Sequence, residues 1–327
     1  NNIILNRVQK YIFIIIILIS VFFLLSSPIK KIQELPNSIG DPLELVLIKG
    51  SGELAINNLI SFLNISIGPS PQEEKVLSLI EITNEEFKGL FKRHQNLLFV
   101  SKGEQFQLIR KENMFAKNQV VFFLKYPSKP SLIENKDKIE QLLNEIKVVE
   151  KTRLLNKYKN YLNATIKEDI KKRHNFSAQF PKDFFLAYAD SNVSWLRRET
   201  PKLSQGIVVI NLPSPLETKK LQSETTRIID SVAQLHISGP IPGSYMTIEK
   251  SAPILIKEIP INNINVTQTQ SLWKIKNDFM GGIYKSYYFK HPTLPGAQII
   301  YSYLYAPGES KAIPLLQMDA IIYSVKY

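Results

Sequence analysis

The chain has 327 residues, of which 44% are hydrophobic, so it can bury a core, and nothing in its composition predicts global disorder. It contains no cysteine, which excludes disulfides, thiolate metal sites and cysteine nucleophiles. The formal net charge is +12, but the lysines are scattered and lack the aromatic spacing of a nucleic-acid-binding surface. We therefore expect a solvated basic surface and no nucleic-acid partner.

An uncharged apolar run, Tyr11–Leu25, dominates residues 1–29. A membrane-spanning helix needs roughly 20 apolar residues, so this run lies at the lower edge of the required length. Arg7 and Lys10 before the run also fit a secretory signal peptide, but Ser26-Ser27-Pro28 is a poor cleavage site. We predict a membrane contact through an N-terminal helix, anchored in the inner membrane with the body facing the periplasm. Cleavage would instead give a secreted or outer-membrane-associated protein.

Residues 30–42 are rich in proline and polar side chains, which predicts a linker. Residues 43–130 then alternate apolar runs with polar turns, which predicts an N-terminal α/β half with a mixed sheet. Thr83 and Glu86 have the spacing of a capping box and predict a helix that continues through Arg93. The predicted strands of this half are Leu43–Ile48, Lys75–Ile82, Leu97–Ser101, Phe106–Arg110 and Val120–Tyr126.

Residues 131–174 change to a helical period, with an apolar stripe that includes Ile139, Leu142 and Ile146. Lysine and glutamate alternate over the remaining positions, so we expect that face to meet solvent. We interpret this segment as an amphipathic helical connection between two halves.

Residues 175–327 predict a C-terminal α+β half. The predicted helices are Glu217–Leu235 and Leu315–Val325, and the predicted strands include Ile207–Leu212, Val266–Ile275, Ile283–Phe289 and Ala297–Tyr305. The fold class is therefore α+β, with an N-terminal membrane helix and then two α/β sandwich-like halves joined by the long helical region. The order of elements in the second half is analogous to the PsbP-like αβα sandwich, an analogy of architecture that carries no function.

No catalytic, cofactor-binding or metal-binding residue emerges from the sequence. Each of the four histidines lacks a second histidine at zinc-ligand spacing, and the chain has no Gly-x-Ser-x-Gly elbow. Neighbouring carboxylates in the predicted helices diverge around the helix axis.

Two groups of residues are candidates for binding. On a predicted strand, Arg197 lies beside Trp195 and Glu199 on one face while Arg198 lies on the other, so either arginine could contact an anion. An internal arginine–glutamate pair is the alternative. The second group is a candidate partner-binding segment made of Trp273, Asp278, Phe279, Met280, Gly281, Gly282 and Tyr284. Paired glycines at the start of a strand suit a turn or bulge with positive φ, and the aromatic residues would form either a recognition patch or core.

Several runs in the chain resemble one family. They are Phe91–Val100, Trp195–Ile207, Gly239–Lys250, Leu272–Phe289 and Tyr303–Lys311, and together they are similar to the domain-of-unknown-function family 4837. The resemblance extends from about Pro36 to the C-terminus and implies a cell-envelope protein of Bacteroidota, of a family usually made of lipoproteins. It implies no activity, cofactor or catalytic residue. Where such members have a lipobox cysteine, this chain has Ser26-Ser27, so the hydrophobic segment itself is expected to be the anchor.

The sequence therefore predicts a non-enzymatic, membrane-anchored envelope protein that binds another protein, as an accessory subunit of a membrane complex. Two alternatives remain open. One is an envelope hydrolase acting on glycan or peptide, which needs Asp278, Glu199 or a histidine to converge in a cleft. The other is a binder of a small acidic ligand, which needs an exposed arginine in a concave site.

Overall fold

The computed structural model describes residues 34–50 and 56–327. The chain divides into two units, Asn1–Pro36 and Asn37–Tyr327, and the fold described below is that of the second unit. The predicted anchor, Tyr11–Leu25, lies outside the described residues. Within the described residues, no helix combines the length and the apolar character needed to cross a bilayer.

Six α-helices and thirteen strands form the described part of the chain. The helices are α1 Ile56–Leu63, α2 Lys129–Glu134, α3 Lys136–Tyr158, α4 Ala164–His174, α5 Leu221–His236 and α6 Ala312–Tyr323. The first strands are β1 Glu44–Lys49, β2 Ser78–Thr83, β3 Asn96–Lys102, β4 Gln107–Glu112 and β5 Val120–Tyr126. The later strands are β6 Phe185–Ala189, β7 Val193–Glu199, β8 Ser204–Leu212, β9 Met246–Ile248, β10 Leu255–Ile261, β11 Ile264–Ile275, β12 Gly281–Lys290 and β13 Ala297–Tyr305.

The first five strands form a mixed sheet in the order β2-β1-β3-β5-β4. β4 runs antiparallel to β5, and the other pairs in this sheet are parallel. The four central residues of β1 are all buried, as expected for a parallel strand that is covered on both faces. The mixed sheet predicted for this half is present.

The capping box predicted at Thr83 and Glu86 forms, but the helix predicted after it does not. The backbone N–H of Thr83 donates to Oε2 of Glu86 at 2.7 Å, and only a short 3₁₀ helix, Gly89–Arg93, follows. Gly89 has a φ of 57°, a left-handed conformation that an α-helix cannot contain. The helix prediction was therefore wrong at this glycine.

The other strands form an antiparallel sheet in the order β10-β11-β12-β13-β8-β7-β6, with β9 paired to β11. Side chains alternate along β12, so Tyr287 and Phe289 pack in one core with α4 and α6, whereas Tyr284 and Tyr288 pack in another with α5. Helices therefore cover both faces of this sheet, and the predicted α+β class is confirmed.

Helix α3 packs against both halves of the compact unit. Its apolar residues Leu142 and Ile146 belong to a core that also contains Leu98 from the first sheet and Leu315 and Leu316 from α6. The helix thus contributes to a shared interior that joins the two sheets, and a cleft opens along one side of it.

Candidate functional site

The candidate partner-binding segment forms the β11–β12 hairpin, and two of its aromatic residues are core. Trp273 is buried, and its indole N–H donates to the carbonyl oxygen of Leu304 at 3.2 Å. The Tyr284 side chain is buried against the Tyr301 ring, with the ring centroids 5.3 Å apart. Neither side chain is therefore accessible from outside the folded chain.

Gly281 and Gly282 allow the backbone of neighbouring strands to approach closely and do not form a turn. Neither has a positive φ, and the left-handed position in the hairpin is taken by Asn277, with a φ of 65°. A Cβ on Gly282 would lie 2.0 Å from the carbonyl oxygen of Leu304. The prediction of a positive-φ glycine bulge was therefore wrong, because the neighbouring strand and not a turn excludes a side chain here.

The tip of the hairpin, residues 276–280, exposes one large apolar side chain. Phe279 is fully exposed, whereas Met280 is half-buried against the core that contains α5. Oδ1 of Asp278 accepts hydrogen bonds from the backbone N–H groups of both residues. These bonds fix the turn in a conformation that leaves the phenyl ring in solvent.

The two candidate anion-binding arginines already have partners within the protein. The Arg197 guanidinium lies over the Trp195 ring and donates from Nε to Oε1 of Glu199 at 2.8 Å. Arg198 lies 2.7 Å from Oδ2 of Asp183, and its Nη1 donates to Gln205 and Gln317. The internal pairing that the sequence left as an alternative is thus the arrangement observed.

A buried hydrogen-bonded chain resembles a hydrolase triad in its atoms. The His174 ring lies between Oδ1 of Asn211, at 2.9 Å, and Oγ of Ser194, at 2.7 Å. Nδ2 of Asn211 donates to the carbonyl oxygen of Arg173, which orients the amide so that Nδ1 of His174 donates and Nε2 accepts from the serine. Ser194 and His174 are both fully buried, however, so a substrate cannot reach the hydroxyl.

A cleft of about 520 Å³ opens between α3, α6 and strands β10 to β12. Four lysines line it, and we name it the lysine cleft: they are Lys147, Lys151, Lys257 and Lys285. Asp319 and Glu258 are the carboxylates in the lining, so the formal charge of the cleft is positive. Its size lies within the range of small-molecule sites.

The Asp319 carboxylate already has partners within the protein. Its Oδ2 accepts from Nζ of Lys285 at 2.7 Å, and its Oδ1 accepts from the Tyr287 hydroxyl at 2.6 Å. Burial opposes ionisation of this carboxyl, but Lys285, Lys151 and the Tyr287 hydrogen bond outweigh burial and lower the pKa of Asp319. One carboxylate is thus matched with one lysine, and the charges of Lys147, Lys151, Lys257 and Glu258 remain.

Lys147 and Lys151 are the distinctive charges of the cleft. Neither forms an ion pair with a described residue; Nζ of Lys151 lies 3.1 Å from the centroid of the Tyr323 ring. Burial, together with the charge of Lys285, lowers the pKa of both lysines to about 8, and Asp319 partly offsets this effect. Lys151 is only 8% exposed, so its ammonium has lost most of its water without gaining a carboxylate.

Sequence reasoning missed this cleft because its residues lie far apart in the chain. A local signal was nevertheless present. Lys285 interrupts an aromatic strand, and Asp319 is the one charge in the mostly apolar helix α6. Lys147 and Lys151 are four residues apart on α3, so they lie on the same face of the helix. Isolated charges within apolar elements indicate a paired or functional position.

A second concavity, of about 650 Å³, runs along the polar face of α5. Its one carboxylate, Asp230, accepts hydrogen bonds from Thr247 and from the backbone of Ile248. The other side chains that line it are mostly exposed, so this surface lacks the desolvated charge of the lysine cleft. Over the residues that the structure describes, no group of three or more histidine, aspartate or glutamate side chains is placed to hold a metal ion.

Residues 163–324 match the model of the family Domain of unknown function (DUF4837). The C-terminal half of the chain belongs to this family. Residues 58–159 match the model of another family, Domain of unknown function (DUF8532), and that range includes the Phe91–Val100 run. The DUF4837 half contains α4 to α6 and the antiparallel sheet, so the lysine cleft draws its residues from both matched ranges. No curated protein matches the chain.

Several solved structures share a distant likeness of shape with part of the chain. The Ran-binding protein Mog1p of Saccharomyces cerevisiae is 8% identical over 46% of this chain and 89% of its own, with a TM-score of 0.31. Human StAR-related lipid transfer protein 5 is 8% identical over 53% of this chain and 93% of its own, with a TM-score of 0.25. At such TM-scores the likeness carries no argument about this protein.

Proposed function

We propose that this protein is a non-enzymatic binder of a small anionic ligand, which it holds in the lysine cleft. The observation that carries the proposal is the pair Lys147 and Lys151 in a concave site: Lys151 is buried, Lys147 is partly buried, and neither has a carboxylate partner within ion-pair distance in the described part of the chain. Burying an unpaired charge costs free energy, so a fold that retains two such charges side by side gains from a counter-charge supplied from outside.

The arrangement of the other charges supports the same proposal. Lys285 and Asp319 satisfy each other, which leaves an anion free to interact with Lys147 and Lys151. An acidic ligand was an alternative interpretation of the sequence, but the arginines first considered for it are paired internally. That alternative required an exposed arginine in a concave site, and the lysine cleft instead offers a concave site whose cations are lysines.

A panel of anions tests the proposal directly. We expect phosphate, sulfate or octanoate to raise the melting temperature saturably in the full chain, because a ligand that binds only the folded state stabilises it. The effect is expected to disappear in the double variant Lys147→Met and Lys151→Met, which removes both charges and retains an unbranched apolar side chain at each position. The matched control is Lys157→Met with Lys159→Met, two exposed lysines nearby with the same loss of charge. Equal stabilisation of both double variants would mean general screening and would overturn the proposal.

A second candidate function is binding to another protein through the hairpin tip, which fits the accessory subunit expected from the sequence. Its support is the fully exposed Phe279, together with Ile241, half-exposed in a neighbouring loop. The backbone N–H of Lys276 donates to the carbonyl oxygen of Tyr245, which ties that loop to the hairpin. Exposed apolar side chains on a rigid hairpin suit recognition by a partner. Pull-down from native membranes with Phe279→Ser and with wild type tests it; equal recovery of partners would reject it.

Membrane anchoring is part of the same proposal. The support is the apolar run Tyr11–Leu25 with basic residues on both sides. An inner-membrane anchor with the body in the periplasm would place the lysine cleft in the cell envelope. Retention of the chain in membranes after carbonate extraction is the expected result, and release into the soluble fraction would reject the anchor. The PsbP-like description of the second half stays an analogy of architecture and adds no function.

The hydrolase alternative has the least support from the geometry. Ser194 and His174 are buried, Glu199 is paired with Arg197, and Asp278 is bonded into its own turn. None of these groups lines the lysine cleft.

A further inference from the structure

Besides its charges, the lysine cleft has an apolar lining, which we name the apolar wall. Its side chains include Ile65, Ile67, Val148, Leu255, Leu315 and Leu316. They come from the segment after α1, from α3, from the edge strand β10 and from α6. A site for an inorganic anion alone does not need such a surface, since hydrated anions are held by polar donors.

Two of these apolar residues are exposed although they line the cleft. Val148 is 54% exposed and Leu255 is 41% exposed. Val148 directly follows Lys147 on α3, and Leu255 lies two residues before Lys257 on β10, so each apolar side chain borders a cleft lysine in the sequence. Charge and apolar surface thus adjoin at the mouth of the cleft.

The position of the apolar wall is fixed by a hydrogen bond between the two halves. Nε2 of Gln270, on β11, donates to the carbonyl oxygen of Ile67 at 2.7 Å. This bond holds the Ile65–Gly68 segment against the antiparallel sheet, where Leu255 pairs with Gln270 in the strand register. The apolar wall is therefore a built surface, and its exposure does not result from a loose loop.

We infer that the ligand of the lysine cleft is amphiphilic, with one carboxylate or phosphate head group that meets Lys147 and Lys151 and an apolar tail that covers Val148 and Leu255. This inference rests on the proposed function and specifies its ligand class. The head group neutralises the two unpaired ammonium groups, and the tail removes the exposed apolar side chains from water. A free single-chain amphiphile is the source that we assign, because the cleft is bounded on several sides by helices and strands.

A chain-length series of carboxylates provides the test. Hexanoate, octanoate and decanoate are titrated into the full chain below their micelle concentrations, with the matching alcohols and inorganic phosphate for comparison. We expect the affinity for the carboxylates to rise about threefold to fourfold for each methylene that becomes buried, at ~0.8 kcal/mol for each. The alcohols are expected to bind at least tenfold more weakly than the carboxylates of equal length, because they lack the charge.

Two variants separate this inference from the proposed function. Val148→Ser with Leu255→Ser is expected to flatten the dependence on chain length while phosphate binding remains. Lys147→Met with Lys151→Met is expected to remove the preference for carboxylate over alcohol. If phosphate binds as tightly as decanoate and the affinity does not depend on chain length, the inference of an amphiphilic ligand is overturned, whereas the proposed anion site is retained. If no anion binds saturably, both proposals fail. Binding to vesicles of anionic phospholipid but not to monomeric carboxylates would overturn the assignment to a free amphiphile.

Discussion

The Glu74 carboxylate accepts a hydrogen bond from the backbone N–H of Ala312, the first residue of α6, at 2.9 Å. The same carboxylate accepts a hydrogen bond from the backbone N–H of Lys311 and another from the hydroxyl of Ser310. An acidic group at a helix N-terminus satisfies free N–H groups and interacts favourably with the helix dipole. Here the cap comes from the connection between α1 and β2, so it ties the N-terminus of α6 to the other half of the protein.

Replacement of Glu74 by Gln is expected to lower the free energy of unfolding by about 1–2 kcal/mol, because hydrogen bonds to a charged group become hydrogen bonds to a neutral one. Burial opposes ionisation of Glu74, but its hydrogen bonds outweigh burial and lower its pKa. The contribution is therefore present above the ordinary pKa of 4.5 and is lost as the pH falls below it. Urea unfolding at pH 7 and pH 4 measures both effects. The exposed neighbour Glu73 is the control, and an equal loss in Glu73→Gln would contradict this account.

Lys151→Met is expected to stabilise the protein at pH 7 by about 1–2 kcal/mol, because removal of a desolvated charge outweighs the loss of the contact between Nζ and the Tyr323 ring. The folded-state pKa of about 8 lies below the ordinary value of 10.5. Below pH 8 the charge is present in both states and its cost is complete. From pH 8 to 10.5 the folded state binds fewer protons than the unfolded state, so the wild type gains stability.

The advantage of Lys151→Met over the wild type is therefore expected to shrink as the pH rises through that window. Guanidinium unfolding at pH 7 and pH 10 measures it. Lys157→Met, at an exposed position of the same helix, is expected to show little change at either pH. Destabilisation by Lys151→Met at pH 7 would contradict the view that this lysine serves a ligand at the expense of stability.

His174 is expected to make the fold sensitive to mild acid. Burial lowers the pKa of its imidazole below the ordinary value of 6.5, so the unfolded state binds more protons there. Stability is therefore expected to fall as the pH drops below about 6.5, until the folded-state pKa is reached. His174→Gln is expected to be less stable at pH 7.5 but to lose less stability between pH 7.5 and pH 5.5. His236→Gln, at a ring that packs on Tyr188, provides the comparison, and the same acid loss in wild type and His174→Gln would reject this origin.

Phe279 and Met280 are expected to differ in their effect on stability although they are adjacent. Phe279→Ser leaves the exposed tip without a burial loss, so the free energy of unfolding is expected to change by no more than ~0.5 kcal/mol. Met280 packs against the core that includes Trp273, so Met280→Ser is expected to cost about 1–3 kcal/mol. Thermal or urea unfolding of the two single variants compares them. Similar losses would mean that the phenyl ring packs against the protein in solution.

Local patterns predicted the fold class well because period-two and period-3.6 apolar spacing records which side faces the core. The strands Val120–Tyr126 and Ala297–Tyr305 were predicted with the bounds that the structure shows. The failures have local causes that sequence periodicity does not record. Gly89 prevents a helix after a correct capping box, and the carbonyl of Leu304 explains the glycine at 282.

The local signals at Lys285 and Asp319 mark unusual charges but do not predict the lysine cleft, because it depends on packing between distant elements. In the sequence, Lys147 is one of many charges on a helix face that was predicted to meet solvent. Part of that face is covered in the folded protein because α3 packs against α6. Lys285 and Asp319 are 34 residues apart in the sequence and meet only in the folded chain. The hairpin residues were predicted to bind a partner because several of them are aromatic. Two of these aromatic residues, Trp273 and Tyr284, are instead buried in the core.

The most direct test of the central claim is a calorimetric titration of octanoate into the wild type and the two double-lysine variants. We predict saturable binding of one octanoate to the wild type and to the Lys157→Met and Lys159→Met control. Binding to the Lys147→Met and Lys151→Met variant is predicted to be at least tenfold weaker, which corresponds to a loss of about 1.4 kcal/mol. Equal affinity in all three proteins, with each variant folded, would contradict the claim that Lys147 and Lys151 form an anion-binding site.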